Sequence, residues 1–268
     1  MTPVDRYTHG HHESVLRSHR WRTAENSAGY LLAHLEPGQQ VLDVGCGPGT
    51  ITLDLARRVY PASVIGVDAA SSVIEIARQA AVAEGSTTTT FVRGDVASLG
   101  FAGDSFDVVH AHQVLQHLVD PIAGLMEMGR VLRPGGLLAV RDSDYGAFAW
   151  SPSDERLTRW MELYHEVTRK NRADADAGRH LPGWVRRAGF SEISVSSSTW
   201  TFASAEDRQW WGGLWADRMR ESDLAYQALE DGLSSPTELE GIAAAFLEWA
   251  DDPEGLFVVP HVEVLARP

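Results

Sequence analysis

Val41-Leu42-Asp43-Val44-Gly45-Cys46-Gly47-Pro48-Gly49-Thr50 reads as a short apolar strand entering a glycine-rich turn, with a helix starting over Ile51 to Arg58. Glycines reach backbone angles closed to other residues and let a ligand touch the main chain. Dinucleotide-binding proteins use a related strand–turn–helix unit. Two details separate this one. Its spacing is Gly-x-Gly-x-Gly, with Thr50 standing where the last glycine of Gly-x-Gly-x-x-Gly would be, and Asp43 sits just before the loop. A negative charge there repels a pyrophosphate but suits an ammonium or sulfonium group.

Working outward, the strand–helix alternation repeats. Val64-Ile65-Gly66-Val67 is a second strand ended by Asp68, and Ser72-Val73-Ile74-Glu75 has capping-box form before a helix to about Glu84. Thr90-Phe91-Val92 is a third strand and Phe106 to His110 a fourth. Asp120 caps a helix with Pro121 at its first position, running to Leu132, and Pro134-Gly135-Gly136 turns into a fifth strand, Leu137 to Arg141. Short apolar strands alternating with helices imply a parallel sheet covered on both faces. Upstream, Leu16, Ala24, Ala28, Leu31 and Leu35 recur at helical spacing, so residues 13–36 are expected to form one amphipathic helix, stopped by Pro37-Gly38.

The second half differs. Residues 153–170, Leu181 to Ala188, 204–231 and 236–250 read as helices, with Ser204 and Ser235 as caps. Ile193 to Phe202 alternates like a strand. Leu256 to Leu265 is a last strand, in which Pro260 is expected to force a bulge or bend. Tryptophans crowd this half: Trp150, Trp160, Trp200, Trp210, Trp211, Trp215 and Trp249. Most are expected in a core, and some in a lid over an apolar pocket.

With 268 residues, the chain suits one core-bearing domain better than two. Its net charge of -14, with no basic run, makes a nucleic acid partner unexpected. The single cysteine, Cys46, excludes an internal disulfide and a cysteine-rich metal site. MTPVDRYTHGHHE lacks the apolar core of a signal peptide, and no apolar stretch is long enough to span a membrane. A cytoplasmic protein is expected, without a metal, and as either a monomer or a homodimer.

Further motifs fall in order after the glycine loop: Asp68, Gly94-Asp95-Val96, Phe106-Asp107-Val108-Val109-His110-Ala111-His112, and Val131-Leu132-Arg133-Pro134-Gly135-Gly136. On these residues the sequence resembles class I S-adenosylmethionine (SAM)-dependent methyltransferases, in the ubiquinone/menaquinone-biosynthesis-like branch that shares the Asp-Val-Gly-Cys-Gly-Pro-Gly-Thr loop. The resemblance covers about residues 36–142 closely, and the first helix and Leu181–Phe190 loosely. It implies a Rossmann-like, doubly wound α/β sheet, mostly parallel with an antiparallel last strand, plus helical lid insertions. It divides a single domain, 1–268, into a cap helix (1–36), a SAM-binding core (37–142) and substrate-side helices with the last two strands (143–268).

The resemblance also implies roles, several with a plainer alternative. Asp68, with Ala69 beside it, is placed at the ribose hydroxyls, and Asp95 and Val96 at the adenine; each aspartate also suits an ordinary turn. Gly45, Cys46 and Gly47 would line the cofactor, with Cys46 as a small loop side chain rather than a nucleophile. Asp43 would lie near the methionine moiety, or else hold loop amides. Arg22 on the first helix would pair with the SAM carboxylate, or be a surface arginine. Tyr7 would cover the cofactor, or pack. His112 is placed at the cofactor.

His117 would be a general base, or a structural histidine bonding a neighbouring main chain. His9, His11 and His12 suggest either a metal or, more commonly, a flexible solvated cluster. Asp142, Asp144 and Tyr145 follow the fifth strand, where open sheets place their ligands, so they, with Trp150, are candidates for the acceptor pocket; Asp142-Ser143-Asp144 reads equally as a polar turn. The leading expectation is methyl transfer to O, N or C of a small molecule, yielding S-adenosylhomocysteine. A protein methyltransferase, a SAM-binding regulator without methyl transfer and, more distantly, a nicotinamide dehydrogenase compete with it.

Overall fold

The structure is a computed structural model that describes residues 8–10 and 12–268. Tyr7 and His11 lie outside the described residues. The first elements are α1 (Glu13–Arg20), α2 (Ala24–Ser27), α3 (Gly29–Leu32), β1 (Val41–Val44), α4 (Thr50–Val59), β2 (Val64–Asp68), α5 (Ser71–Ala83), β3 (Thr89–Arg93), β4 (Phe106–His112), α6 (Pro121–Val131) and β5 (Leu132–Ser143). The second half adds β6 (Ala149–Ser151), α7 (Glu155–Lys170), α8 (Ala177–Arg187), β7 (Ser191–Phe202), α9 (Ala205–Glu221), α10 (Asp223–Glu230), α11 (Pro236–Asp251) and β8 (Leu256–Arg267).

The eight strands form one sheet in the order β3-β2-β1-β4-β5-β8-β6, with β7 on the other edge of β8. The first five are parallel; β8 runs antiparallel to β5, β6 and β7. This is the expected doubly wound arrangement with an antiparallel last strand. Alternate residues of β1 face opposite sides. Val41 packs with α2, α4 and Leu31, whereas Leu42 and Val44 pack with Leu125 and Met128 of α6 and Leu181 of α8. A second core joins α7, α9, α10 and α11 around Trp160, Trp215, Phe246 and Phe257.

Several boundaries differ from the sequence reading, each for a local reason. Residues 13–36 are three short helices, not one. Thr23 accepts from the Asn26 amide, and the Asn26 side chain accepts from the Thr23 amide, so a new helix is nucleated there. The Ser72–Glu75 capping box is absent: α5 starts at Ser71 behind Ala70, whose amide is taken by the Asp68 carboxylate at 3.0 Å. The long helix over 204–231 is broken at Ser222, which is extended and donates its hydroxyl to the Arg218 carbonyl at 2.7 Å. The helix at Leu181 starts earlier, at Ala177, and contains Pro182.

Pro260 makes no bulge; its pairing with Thr199 of β7 is in register with its neighbours. The Pro260 carbonyl instead accepts from the Asp144 amide at 3.2 Å. In an antiparallel ladder a residue's N–H and C=O point to the same side. The missing N–H therefore falls where β8 changes partner from β5 to β6 and no ladder bond is required.

Candidate active site

A cavity of about 240 Å³ opens across the carboxyl ends of β1, β2 and β4. One end is the glycine loop. Gly45, Gly47 and Gly49 take φ values of 68°, 55° and 88°, a region that disfavours side chains. A Cβ on Gly45 would lie 2.3 Å from Val114, and one on Gly49 2.6 Å from Phe91, so both positions require glycine. Gly47 differs, because a Cβ there would meet only the His19 ring, at 3.7 Å. Backbone at Gly47 is thus open to a ligand on the cavity side.

Strand-ending acids sit around this loop. Asp68 accepts from the Gly47 amide at 3.1 Å and the Ala70 amide at 3.0 Å, which ties the β2 exit to the loop. Asp95 is exposed and accepts from the Ala97 amide at 2.9 Å. Asp68, Ala69, Asp95 and Val96 all line the cavity. Asp43 lines it too, but its carboxylate is committed: Thr52 donates to it at 2.5 Å and the His110 ring at 2.7 Å. Asp43 and His110 are register partners on β1 and β4, so the contact staples two strands and α4. The loop amides are not its partners. Cys46 also lines the cavity, and burial followed by the charges of Asp43 and Asp68 pushes its thiol well up, which leaves it a poor nucleophile.

Helix α1 and the segment after it close this end from above. Ser18, His19 and Arg22 line the cavity, and the Thr50 hydroxyl donates to the His19 carbonyl at 3.3 Å. Arg22 reaches inward and donates to the Gln113 side-chain oxygen at 2.7 Å. His112 is the last residue of β4 rather than a residue past it, and it lines the cavity next to the Trp200 ring.

The far end is aromatic. Tyr145, Phe148, Trp200, Trp211 and Trp215 line it, with His9, His117 and Arg218. His9 is buried rather than solvated, which overturns the flexible-cluster expectation for it. Its ring stacks on Tyr164 at 5.3 Å, and its Nε2 lies 3.1 Å from the Tyr164 hydroxyl. His12 instead caps α1. Among the described residues no group of three or more His, Cys, Asp or Glu side chains is placed to hold a metal.

His117 shares a chain of side-chain contacts. The Ser143 hydroxyl donates to the Gln116 amide oxygen at 2.7 Å, so the Gln116 nitrogen, 3.0 Å from His117 Nε2, is the donor to that ring atom. The ring proton is then on Nδ1. Burial first, and Arg22 second, lower the His117 pKa to about 3.

The four acceptor candidates divide. Tyr145 lines the cavity, and Asp142, Asp144 and Trp150 do not. Asp142 is buried beneath the wall, where it accepts from the Gln116 amide at 3.3 Å, and burial raises its pKa to about 8. Both oxygens of Asp144 are held by Arg179 of α8. Trp150 stacks on Phe257 in the second core, with ring centroids 5.8 Å apart.

Gln113, Phe148, Trp200, Trp211, Trp215 and Arg218 also line the cavity; of these the sequence reading covers only the tryptophans, as core or lid residues. A signal existed for three of them. Trp211, Trp215 and Arg218 recur at i, i+4 and i+7 on one face of α9.

The residues present fit SAM. They combine a glycine-loop backbone open to contact, carboxylates at the ends of β2 and β3, and an arginine at the opposite wall.

A family model described as a methyltransferase domain matches residues 35–204. An uncharacterized methyltransferase of Schizosaccharomyces pombe is 31% identical over 99% of this chain and 98% of its own length. A probable methyltransferase of Aspergillus luteorubrus is 29% identical over 98% of this chain and 97% of its own. Among solved structures, the YcgJ protein of Bacillus subtilis superposes with a TM-score of 0.59 at 19% identity, covering 89% of this chain and 96% of that one, which is a likeness of fold. The strand order, the glycine loop with its acids and these matches together place the chain in the methyltransferase domain family, as a SAM-dependent methyltransferase.

Proposed function

We propose that this protein methylates a small molecule held at the aromatic end of the cavity, with SAM at the glycine-loop end. The observation that carries the reading is continuity: one cavity is lined both by Gly45, Gly47, Asp68 and Asp95 and by Tyr145, Trp211 and Trp215. Methyl transfer needs an in-line approach of acceptor to donor within one enclosure.

In this reading Asp68 holds the ribose hydroxyls, Asp95 and the Val96 main chain hold the adenine, and Arg22 holds the amino-acid carboxylate. Asp43 acts at one remove, by fixing the loop through Thr52 and β4 through His110. SAM supplies an electrophilic methyl group on a positively charged sulfur. Residues 143–268 then form the acceptor side of a single domain. Their aromatic side chains exclude water and orient the acceptor. His117 acts through its Nδ1–H as a hydrogen-bond donor, because its Nε2 is occupied by Gln116 and a pKa of about 3 makes it a weak base.

Calorimetric titration with S-adenosylhomocysteine tests the donor end. Asp68→Ala should weaken binding about 10- to 100-fold, the loss expected for two hydrogen bonds to a carboxylate. Unchanged affinity in that variant would remove the ribose assignment.

A further inference from the structure

Three strands leave an edge of the sheet free, and two of them are short and blunted. Strand β3 is five residues long, and the Arg78 guanidinium donates to its Phe91 carbonyl at 2.9 and 3.1 Å. Strand β6 is three residues long, and the Trp249 indole N–H donates to its Ser151 carbonyl at 3.0 Å. Strand β7 runs twelve residues and pairs only with β8.

The register decides which groups of β7 face outward. Thr199 stands opposite Pro260, whose carbonyl turns away from β7 toward the Asp144 amide. Opposed residues of an antiparallel pair turn their N–H and C=O alternately toward each other and apart. Thr199 therefore points its N–H and C=O away from β8, and Val195, Ser197 and Thr201, at even spacing from it, do the same. No other described residue takes these main-chain groups. All four residues are exposed.

Natural sheets blunt such an edge with lysine, proline, a bulge or an inward charge. The register shift in β7 lies at its start, between Ser191 and Ser194, where Glu192 is 3.8 Å from Arg267. From Ile193 to Ala205 there is no charged residue and no proline, in a chain of which 22% is charged. With a net charge of -14, two copies repel wherever acidic surfaces meet, and the β7 edge is a surface where they meet without that cost. It offers no charge to attract a basic or acidic strand of another protein, but it is complementary to itself under a two-fold axis.

We propose that the β7 edges of two copies pair antiparallel about a two-fold axis at Ser198, joining two sheets into one. Val195 then stands opposite Thr201 of the second copy, and Ser197 opposite Thr199, so the outward N–H and C=O groups from Val195 to Thr201 all gain partners. β-Branched and hydroxyl side chains meet across the pair. One strand pair buries less than the roughly 1,200 Å² of a standard interface, so the dissociation constant is on the order of 10 to 100 µM. Neither Ser197 nor Thr199 lines the cavity.

Sedimentation velocity of the full chain from about 1 µM to about 500 µM reads the association, and amide exchange by NMR reads its place. The mass should rise from one chain toward two across the series. The amides of Val195, Ser197, Thr199 and Thr201 should exchange about fivefold more slowly at the upper concentration, while those of Ser196, Ser198 and Trp200, already bonded to β8, should not change. Thr199→Lys sets like charges near each other across the axis, and Ser197→Pro removes one donor from each copy without breaking a bond to β8; each should raise the dissociation constant about tenfold or more. Gln79→Lys, the same added charge on α5 beside the β3 edge, should not. A wild-type circular dichroism spectrum shows that a variant is folded, and Thr199→Lys alone decides if Ser197→Pro is not. A single chain at every concentration overturns the proposal. So does a dimer that Thr199→Lys leaves intact, or one in which the four outward amides exchange as before, because either places the contact elsewhere.

Discussion

Gln113 connects Arg22 to His261. Its side-chain oxygen accepts from the Arg22 guanidinium at 2.7 Å, and its side-chain nitrogen lies 2.7 Å from His261 Nε2. His261 Nδ1 donates to the Val259 carbonyl at 3.0 Å, so Nε2 is the accepting atom and the Gln113 amide has only one orientation that satisfies both neighbours. Gln113 also holds a φ of 53°, a left-handed value that costs energy in a residue with a side chain. Strand β8 thereby fixes, through a strained residue at the exit of β4, the arginine proposed to hold the SAM carboxylate.

Removing the Gln113 amide should therefore loosen Arg22 without disturbing the fold. Gln113→Ala should weaken S-adenosylhomocysteine binding about 5- to 20-fold, the worth of one hydrogen bond to a charged group. The effect should appear in KM for SAM more than in kcat. Titration calorimetry and initial rates at varied SAM check both. An unchanged KM would separate Gln113 from the cofactor.

The Asp43 carboxylate predicts a stability effect rather than a selective binding effect. Thr52→Val removes one of its donors and should cost about 1–2 kcal/mol. Asp43→Ala leaves the buried His110 ring without its partner and should cost about 3 kcal/mol or more. Urea unfolding of the two variants gives the comparison. Equal stabilities would mean that the His110 contact contributes nothing beyond the Thr52 one.

The glycine-loop end of the cavity was legible in the sequence because it is local. Strand, turn and helix follow one another over Val41 to Arg58, Asp68 ends its strand and Asp95 stands two residues past its own, so adjacency in the chain becomes adjacency at the cavity. The aromatic end is assembled from His9, the Tyr145 turn, β7 and α9, which meet only through packing. Asp144 shows the difference. Its place beyond β5 is where a ligand contact is expected, yet Arg179, 35 positions along the chain, takes both its oxygens. The helical spacing of residues 13–36 misled for a related reason: the capping pair Thr23 and Asn26 breaks the helix without interrupting the apolar repeat.

Asp142 predicts the pH dependence of stability. Its pKa rises to about 8 in the fold from the ordinary carboxylate range, and burial is the cause. Between those two values the folded chain binds more protons than the unfolded one, so this group's contribution becomes less favourable as pH rises and its cost is fully present above about 8. Asp142→Asn keeps the shape and removes the titration. The stability of this variant minus that of the wild type should grow by a few kcal/mol, in order of magnitude, between about pH 5 and pH 9. Chemical unfolding at several pH values measures the difference, and a flat difference would place an ordinary, ionised carboxylate at this position.

The pH–rate profile separates the two readings of His117. An imidazole acting as general base with an ordinary pKa loses activity below about pH 6.5, as it becomes protonated. With its pKa lowered to about 3, His117 stays neutral throughout the range in which the enzyme can be assayed. The rate should therefore show no limb from this residue above about pH 5, and the rising limb should instead track the ionisation of whichever acidic acceptor is used. His117→Phe should reduce kcat by about tenfold, as for a lost hydrogen-bond donor, and leave the position of that limb unchanged. A loss of a thousandfold or more, with a wild-type limb near pH 6.5 that the substitution removes, would make His117 the base and require Gln116 to release its Nε2 during turnover.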